Sequence, residues 1–192
     1  MRFIFSSIAA AVTLLAALTP VQAATYVIDP NHTFVTFEIG HFGTSTNRGR
    51  FDKKQGSVEF DRVAKTGKIE MVIDTESINT GTPAFDRVLQ GASLFDSAKY
   101  PTAKFVANQL SFRDDKISDV SGTLTLLGKT NPVTLKATNF NCYASPVFRR
   151  EVCGGDFEVH IDRTEFGLDY GTTWGIPKDV RLSIQVEAVK QD

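Results

Sequence analysis

Apolar and polar residues alternate along most of the chain, and this pattern limits the fold more than any other feature. Val35, Phe37 and Ile39 are separated by Thr36 and Glu38. A two-residue period places one face of a β-strand against a core and the other in solvent. The same period recurs around residues 69–73, 123–126, 133–136, 157–161 and 180–188. The sequence therefore predicts antiparallel strands with one apolar face each.

Short turn sequences join these strands. Residues 65–68, 113–116 and 128–132 carry the glycine, aspartate, asparagine and proline that tight turns favour. About eight strands of ordinary length account for a chain of this size. A meander of that length has to close or cover its edges. We therefore predict an all-β, eight-stranded antiparallel up-and-down barrel.

One segment, residues 82–91, departs from the strand pattern. Thr82 and Pro83 are typical of a helix start and Gly91 of a helix end. Phe85, Val88 and Leu89 share one face. The segment predicts a short amphipathic helix inserted between strands. It is either a plug for one end of the barrel or a lid whose apolar face contacts a ligand.

The first 23 residues predict a cleaved signal peptide. They hold one basic residue, Arg2, no acidic residue, an apolar run over residues 8–18, and end in Val21-Gln22-Ala23. The apolar run is too short to favour a membrane span. Cleavage leaves a single domain over residues 24–192. We expect an exported protein with no stable membrane insertion.

The mature chain is nearly neutral and rich in phenylalanine. Without Arg2 it has 20 basic and 22 acidic residues, a formal charge of −2, which argues against nucleic-acid binding. Thirteen of the 15 phenylalanines lie beyond residue 23. They either fill an ordinary core or line an apolar cavity.

Two cysteines, Cys142 and Cys153, predict one structural disulfide in an exported chain. The alternative is a reactive thiol pair. Redox pairs usually lie two residues apart beside a helix start, and this pair does not.

Motifs for catalysis are missing from the sequence. It has no nucleophile elbow, metalloprotease motif or glycine-rich phosphate loop. His32, His41 and His160 have no zinc-site spacing, so we predict no metal and no catalytic cofactor. Asp162, Glu165 and Asp169 lie beside Arg163. They form either a buried acid/base pair or a solvated, ion-paired strand end, and the second interpretation is the simpler one.

The chain resembles the YceI-like family of lipocalin-like, polyisoprenoid-binding periplasmic proteins. Several segments carry the resemblance in the family's order: residues 26–37, 41–43, 49–51, 56–58, 95–105, 121–135 and 161–167. Residues 139–143 and 151–157, which include both cysteines, are similar to the branch of the neisserial ubiquinone-binding antigen.

The resemblance implies an eight-stranded lipocalin-like barrel that holds a long isoprenoid lipid, such as ubiquinone or another quinone, in the periplasm. In several members it also implies a homodimer. We therefore expect a non-enzymatic lipid carrier whose inward phenylalanines line a tunnel. The predicted ligand-binding residues are Val35, Phe37, Ile39, His41, Phe42, Phe51, Phe60, Met71, Ile73, Phe85, Leu89, Phe95, Phe105, Leu124, Leu126, Leu135, Phe157 and Trp174. The candidates for contacting a ligand head group are His41, Asn79, Thr80, Arg163 and Trp174.

Two alternatives remain open at this point. The barrel is filled by its own side chains and acts as a structural or stress-response protein, or it is an enzyme that uses Asp162, Arg163 or His41.

Overall fold

The computed structural model describes residues 23–192, so the predicted signal peptide lies outside the described residues except for its last position. The strands are β1 (Ala24–Ile28), β2 (Phe34–His41), β3 (Ser45–Phe51), β4 (Lys54–Asp61), β5 (Thr66–Asp74), β6 (Ile78–Asn79), β7 (Thr102–Arg113), β8 (Lys116–Leu126), β9 (Lys129–Ala144), β10 (Glu151–Asp162) and β11 (Asp179–Lys190). One α-helix, α1 (Pro83–Gln90), lies between β6 and β7. Single 3₁₀ turns span Thr75–Ser77, Arg163–Phe166 and Thr172–Trp174.

These eleven segments form the predicted eight-stranded antiparallel barrel, because three of its strands are interrupted. β1 and β2 follow one another along β11, β3 and β4 form the next strand, and β5 and β6 the third. β7 to β11 complete the barrel in chain order. The last strand pairs with the first, Tyr26 with Lys190 and Val35 with Ile184, and this closes the sheet. The predicted fold class is confirmed.

The two ends of the barrel differ in their connections. The lower end has short turns at residues 62–65, 114–115 and 145–150. The upper end has the turns at 42–44 and 127–128, α1 with the irregular residues 91–101, and the long connection 163–178. The upper end therefore carries most of the chain that lies outside the barrel wall.

The first predicted turn is misplaced by three residues. The chain turns at residues 62–65, and Thr66 already begins β5. The carboxylate of Asp61 accepts hydrogen bonds from the N–H groups of Val63 and Ala64, at 2.9 and 2.8 Å. Since an aspartate in this position satisfies the turn's own backbone donors, it fixes the turn directly after β4.

Cys142 and Cys153 form the predicted disulfide. They are directly opposite residues of β9 and β10, with their Cα atoms 4.0 Å apart. Cys153 is buried, and Cys142 packs against the same core. The bond therefore joins neighbouring strands at the inner face of the barrel.

The break between β1 and β2 is held by Asp29, His32 and Thr33. The carboxylate of Asp29 accepts the N–H of Asn31 at 2.9 Å and lies 2.7 Å from Nδ1 of His32. The buried hydroxyl of Thr33 donates to the carbonyl of Glu187 on β11 at 3.3 Å. These bonds satisfy polar groups where the strand pairing is interrupted.

Removal of the disulfide should destabilise the barrel without unfolding it. The bond closes a loop with a sequence separation of 11. For a loop of this size the chain-entropy model gives a loss of about 3 kcal/mol. Denaturant unfolding of the double variant Cys142→Ala/Cys153→Ala should show this loss. A reducing agent should lower the free energy of unfolding of the wild type but not of the double variant, and equal effects on both would contradict the prediction.

The His32–Asp29 pair should make stability depend on pH. The hydrogen bond and charge of Asp29 raise the pKa of His32 above its usual 6.5. Burial raises the pKa of Asp29, but its hydrogen bonds to His32 and Asn31 outweigh burial, so the pKa falls below 3.8. The stabilisation is therefore complete below pH 6.5 and is lost as pH rises through the folded pKa of His32; it is also lost in acid as Asp29 protonates.

Denaturant unfolding on both sides of pH 6.5 measures this dependence. The variant His32→Gln should lose less stability than the wild type as pH rises. An unchanged pH profile in this variant would refute the role of the pair.

Candidate ligand cavity

A cavity of about 120 Å³ lies inside the barrel. Its wall contains side chains from all eight barrel strands, so no single hairpin forms it. The lining residues are Tyr26, Ile28, Val35, Val58, Phe60, Ile69, Met71, Ile73, Phe105, Leu110, Ile117, Val120, Leu124, Val133, Leu135, Phe140, Cys153, Gly154, Phe157, Leu182, Ile184, Val186 and Ala188. This lining is apolar, and a dry cavity of similar size, about 150 Å³, takes up a molecule such as benzene.

An aromatic cluster closes the lower end of the cavity. The ring of Phe60 stacks on Phe112, with centroids 6.3 Å apart, and meets the edge of Phe140 at 6.1 Å. Tyr26 lies 6.4 Å from Phe60, and its hydroxyl donates to Glu151 at 2.6 Å. Burial and this carboxylate raise the pKa of Tyr26, so its hydroxyl stays neutral and its one polar group is satisfied.

A second cluster closes the upper end beneath α1. Phe51 packs against Phe37 at 6.1 Å and against the edge of Phe95 at 5.6 Å. Leu89 of α1 is buried in the same core, and Phe85 packs against it. α1 therefore covers the upper end, in agreement with the plug interpretation.

The helix is attached to the barrel by few contacts. Val88, predicted on its apolar face, is 55% exposed. Thr82 is the N-cap residue, but its side chain makes no capping hydrogen bond. Instead the carboxylate of Asp86 accepts the N–H and the hydroxyl of Thr80, both at 2.7 Å. Gln90 donates to the carbonyl of Glu76 at 2.8 Å. Since Leu89 and Phe85 are the only apolar side chains of the helix that pack on the core, its attachment is limited, as a lid requires.

The predicted ligand-binding residues fall into three groups. Eight line the cavity: Val35, Phe60, Met71, Ile73, Phe105, Leu124, Leu135 and Phe157. Six belong to the packed core beside it: Phe37, Phe51, Phe85, Leu89, Phe95 and Leu126. Ile39, His41, Phe42 and Trp174 lie at the upper end, outside the lining and the core. Alternation indicates which side chains face inward, but not how far along the barrel axis each one lies.

The five head-group candidates do not converge on the cavity, and none of them is among its lining residues. Asn79 donates to Asp52 at 2.7 Å, and Thr80 is bound to Asp86. Trp174 is 61% exposed. The structure thus gives Asn79 and Thr80 local structural partners.

Arg163 is a buried residue of the upper connection, only 4% exposed. Its Nε donates to the carbonyl of Pro177 at 2.9 Å and its Nη1 to the carbonyl of Leu168. Its backbone N–H donates to the carbonyl of Lys178 at 3.0 Å. One guanidinium therefore ties both ends of the 163–178 connection together.

Fifteen lining residues were not predicted, and two β-bulges explain why some of them escape the sequence pattern. Asn108 in β7 and Thr138 in β9 have no opposite residue in the pairing. Each extra residue reverses the inward face, so Leu110 and Phe140 point inward against the preceding alternation. The alternation of residues 180–188 does indicate the inward face of β11, although the predicted ligand-binding residues contain none from this strand.

Asp162, a candidate catalytic residue at the upper end, has a structural role. The carboxylate of Asp162 accepts the N–H of Thr164 at 2.8 Å and its hydroxyl at 2.5 Å, and these bonds lower the pKa of Asp162. In residues 23–192 no group of three His, Cys, Asp or Glu side chains is placed to hold a metal ion.

The sequence model of the YceI-like domain matches residues 26–188, nearly the whole described barrel. The chain belongs to the YceI-like domain family. A UPF0312 protein of Pseudomonas putida is 34% identical to it over 191 residues, 97% of either chain. A UPF0312 protein of Shewanella denitrificans is 32% identical over 180 residues, 90% of this chain and 91% of its own.

Solved structures share the fold of this YceI-like domain. The YceI protein of Campylobacter jejuni has a TM-score of 0.69 at 26% identity, covering 80% of this chain and 91% of its own. BcnA of Burkholderia cenocepacia has a TM-score of 0.69 at 22% identity, covering 83% and 98%. A polyisoprenoid-binding domain from Saccharophagus degradans has a TM-score of 0.64 at 17% identity, covering 88% and 100%.

Within residues 23–192, no helix is long and apolar enough to cross a lipid bilayer.

Arg163→Lys should loosen the upper connection. Lysine lacks the planar fork that serves two carbonyls, and each hydrogen bond to a charged donor contributes about 1.5–3 kcal/mol. We expect a loss of about 2 kcal/mol in the free energy of unfolding, at the lower end of that range, and faster amide exchange confined to residues 163–178. Arg149→Lys, at an exposed lower-end position, is the matched control and should change neither measurement.

Proposed function

We propose that this YceI-like domain is an exported carrier that binds the tail of an isoprenoid lipid in its barrel cavity, with ubiquinone as the favoured ligand. One observation carries the proposal: every strand of a closed barrel contributes apolar side chains to one internal cavity. A hydrocarbon chain can be buried against such a lining, whereas a polar molecule finds no hydrogen-bonding partner there.

The cavity favours tail binding over head-group recognition. Burial stabilises a bound chain by about 0.8 kcal/mol for each methylene-sized group. Ordering a long tail costs much of this, and net gains for large ligands fall to about 0.3 kcal/mol per atom. Binding through an apolar wall alone therefore discriminates weakly between isoprenoids of similar width.

The cavity volume sets a condition on this function. A space of about 120 Å³ is close to the size of a single isoprene unit, so a longer tail requires the lining to rearrange. Met71 lies in the wall, and its unbranched side chain adapts more readily than a branched one. α1 lies above the upper cluster. Displacement of this helix would extend the cavity toward the upper end of the barrel.

Three further observations support the carrier role. The N-terminal sequence predicts export, and the Cys142–Cys153 disulfide suits an oxidising compartment. The Saccharophagus degradans domain of the same fold is a polyisoprenoid-binding domain. We therefore propose that the protein acts in the periplasm, where an insoluble lipid has to cross water.

The small cavity also favours a second candidate function. A barrel whose own aromatic side chains nearly fill it could act as a structural or stress-response protein without a lipid ligand. Organic extracts of the purified native protein, analysed by mass spectrometry, separate the two functions. An isoprenoid in the extract supports the carrier; failure both to find one and to load one supports the filled barrel.

A cavity-filling variant should show whether the lipid tail binds inside the barrel. Ala188 is a buried cavity residue of β11, and Ala188→Leu places three more carbons in the cavity. We expect loading of ubiquinone to fall about tenfold or more, because roughly 1.4 kcal/mol of lost tail contact suffices for that. Val189→Leu, on the outer face of the same strand, is the control and should load normally. Normal loading of Ala188→Leu would place the ligand elsewhere.

A further inference from the structure

Three exposed aromatic side chains lie at the upper end of the barrel. Phe42 lies in the turn between β2 and β3, and Tyr170 and Trp174 belong to the connection between β10 and β11. They are 52%, 42% and 61% exposed. We call these three residues the aromatic rim.

The rim forms one surface although its residues are distant in sequence. The rings of Tyr170 and Trp174 meet edge to face at 5.2 Å. Gly175, next to Trp174, lies against Phe42, since a Cβ atom there would be 3.9 Å from its ring. Gly175 therefore brings the Tyr170–Trp174 pair and Phe42 onto one surface.

Left-handed backbone conformations lie on both sides of the rim, and only that of Phe42 is unfavourable for its residue type. Phe42 has φ 51°, in the left-handed region that bulky side chains rarely adopt. Gly171 and Gly175, on both sides of Trp174, have φ 76° and 96°. The exposure of Phe42 is thus fixed by the turn.

The area of the rim fits a shallow contact better than a stable dimer. Fully buried aromatic side chains cover about 150–250 Å² each, so the exposed parts of these three amount to about 300–400 Å². A stable protein interface needs about 800 Å² from each partner. Tryptophan and tyrosine favour the interface of a lipid bilayer, where an apolar ring meets a polar environment, and phenylalanine is common among the apolar residues that proteins insert there.

The charges beside the rim are of both signs, so they do not attract an anionic or a cationic surface. In the connection itself, Asp169 precedes Tyr170 and is offset by Lys178. On the neighbouring strands, Arg48 is paired with Glu38 at 3.0 Å, and His160 lies 2.8 Å from Asp179. The rings themselves therefore have to supply the attraction, and binding should depend little on salt or on anionic lipid.

We propose that the aromatic rim docks the upper end of the barrel on the interface of a lipid bilayer. This inference rests on the proposed carrier function, because a lipid-binding cavity has to be loaded from a membrane. Docking places α1 and its exposed Val88 at the same surface. A tail then enters or leaves beneath the helix without crossing water.

Trp174 is the only tryptophan of the chain and reports directly on docking. The full mature protein is mixed with vesicles of phosphatidylcholine, or of phosphatidylcholine with phosphatidylglycerol. We expect a blue shift of the fluorescence, quenching by lipids brominated near the head group, and similar binding to both vesicle types in low and high salt. An unshifted spectrum, or binding only to anionic vesicles at low salt, would overturn the proposal.

Vesicle flotation of two variants tests the residues. Phe42→Asn removes the ring at a φ that asparagine accepts, so the fold should be retained. Trp174→Ser removes the most exposed ring. Each should weaken vesicle binding about tenfold, which corresponds to 1.4 kcal/mol. The double variant Val63→Ser/Val147→Ser removes two exposed apolar side chains from the lower end and is the matched control; weakened binding in this variant alone would assign docking to the opposite end.

The docking test can fail independently of the carrier function. A wild type that contains isoprenoid but does not bind vesicles refutes docking and leaves the carrier standing. A protein that binds vesicles through Phe42 and Trp174 but never takes up isoprenoid supports docking and refutes the carrier. Sedimentation in the absence of lipid tests whether the rim instead binds a second copy of the chain. A dimer that dissociates on the substitution Phe42→Asn would assign the rim to that interface and overturn docking.

Discussion

The pairing of β11 with both β1 and β2 is the interaction on which the remaining structure depends. It joins the last strand of the domain to the first and leaves the wall without long unpaired edges. Once the wall is closed, the inward side chains of all eight strands meet along one axis. An interior of this width either fills with side chains or holds one small ligand. The apolar cavity is thus a product of closure.

The sequence was sufficient to predict the fold because each strand is half-buried. Alternation such as that of Val35, Phe37 and Ile39 identifies the inward face, and the short turns leave little choice of neighbour. It could not show that three barrel strands are interrupted. The break after Ile28 depends on Thr33 reaching the carbonyl of Glu187, a contact between residues at opposite ends of the chain.

The site was less predictable than the fold. Inward residues were recognised, but their height along the axis depends on the stagger of neighbouring strands, so Phe37 and Phe51 lie in the upper cluster beside the cavity. Beyond the bulges at Asn108 and Thr138 even the face was lost. The sequence predicts Arg163 as a head-group contact because it is a polar residue near the expected barrel mouth. Its partners are backbone carbonyls, which no residue pattern reveals.

The position of the disulfide has a consequence for the order of folding. Cys142 and Cys153 belong to one hairpin, β9–β10, and no other cysteine competes for either. The hairpin needs only local contacts to form, whereas barrel closure needs both ends of the domain. Oxidation can therefore precede closure and lock the register of the bulged strand β9 early. The disulfide-bonded hairpin is then available for β8 and β11 to pair with before the barrel closes.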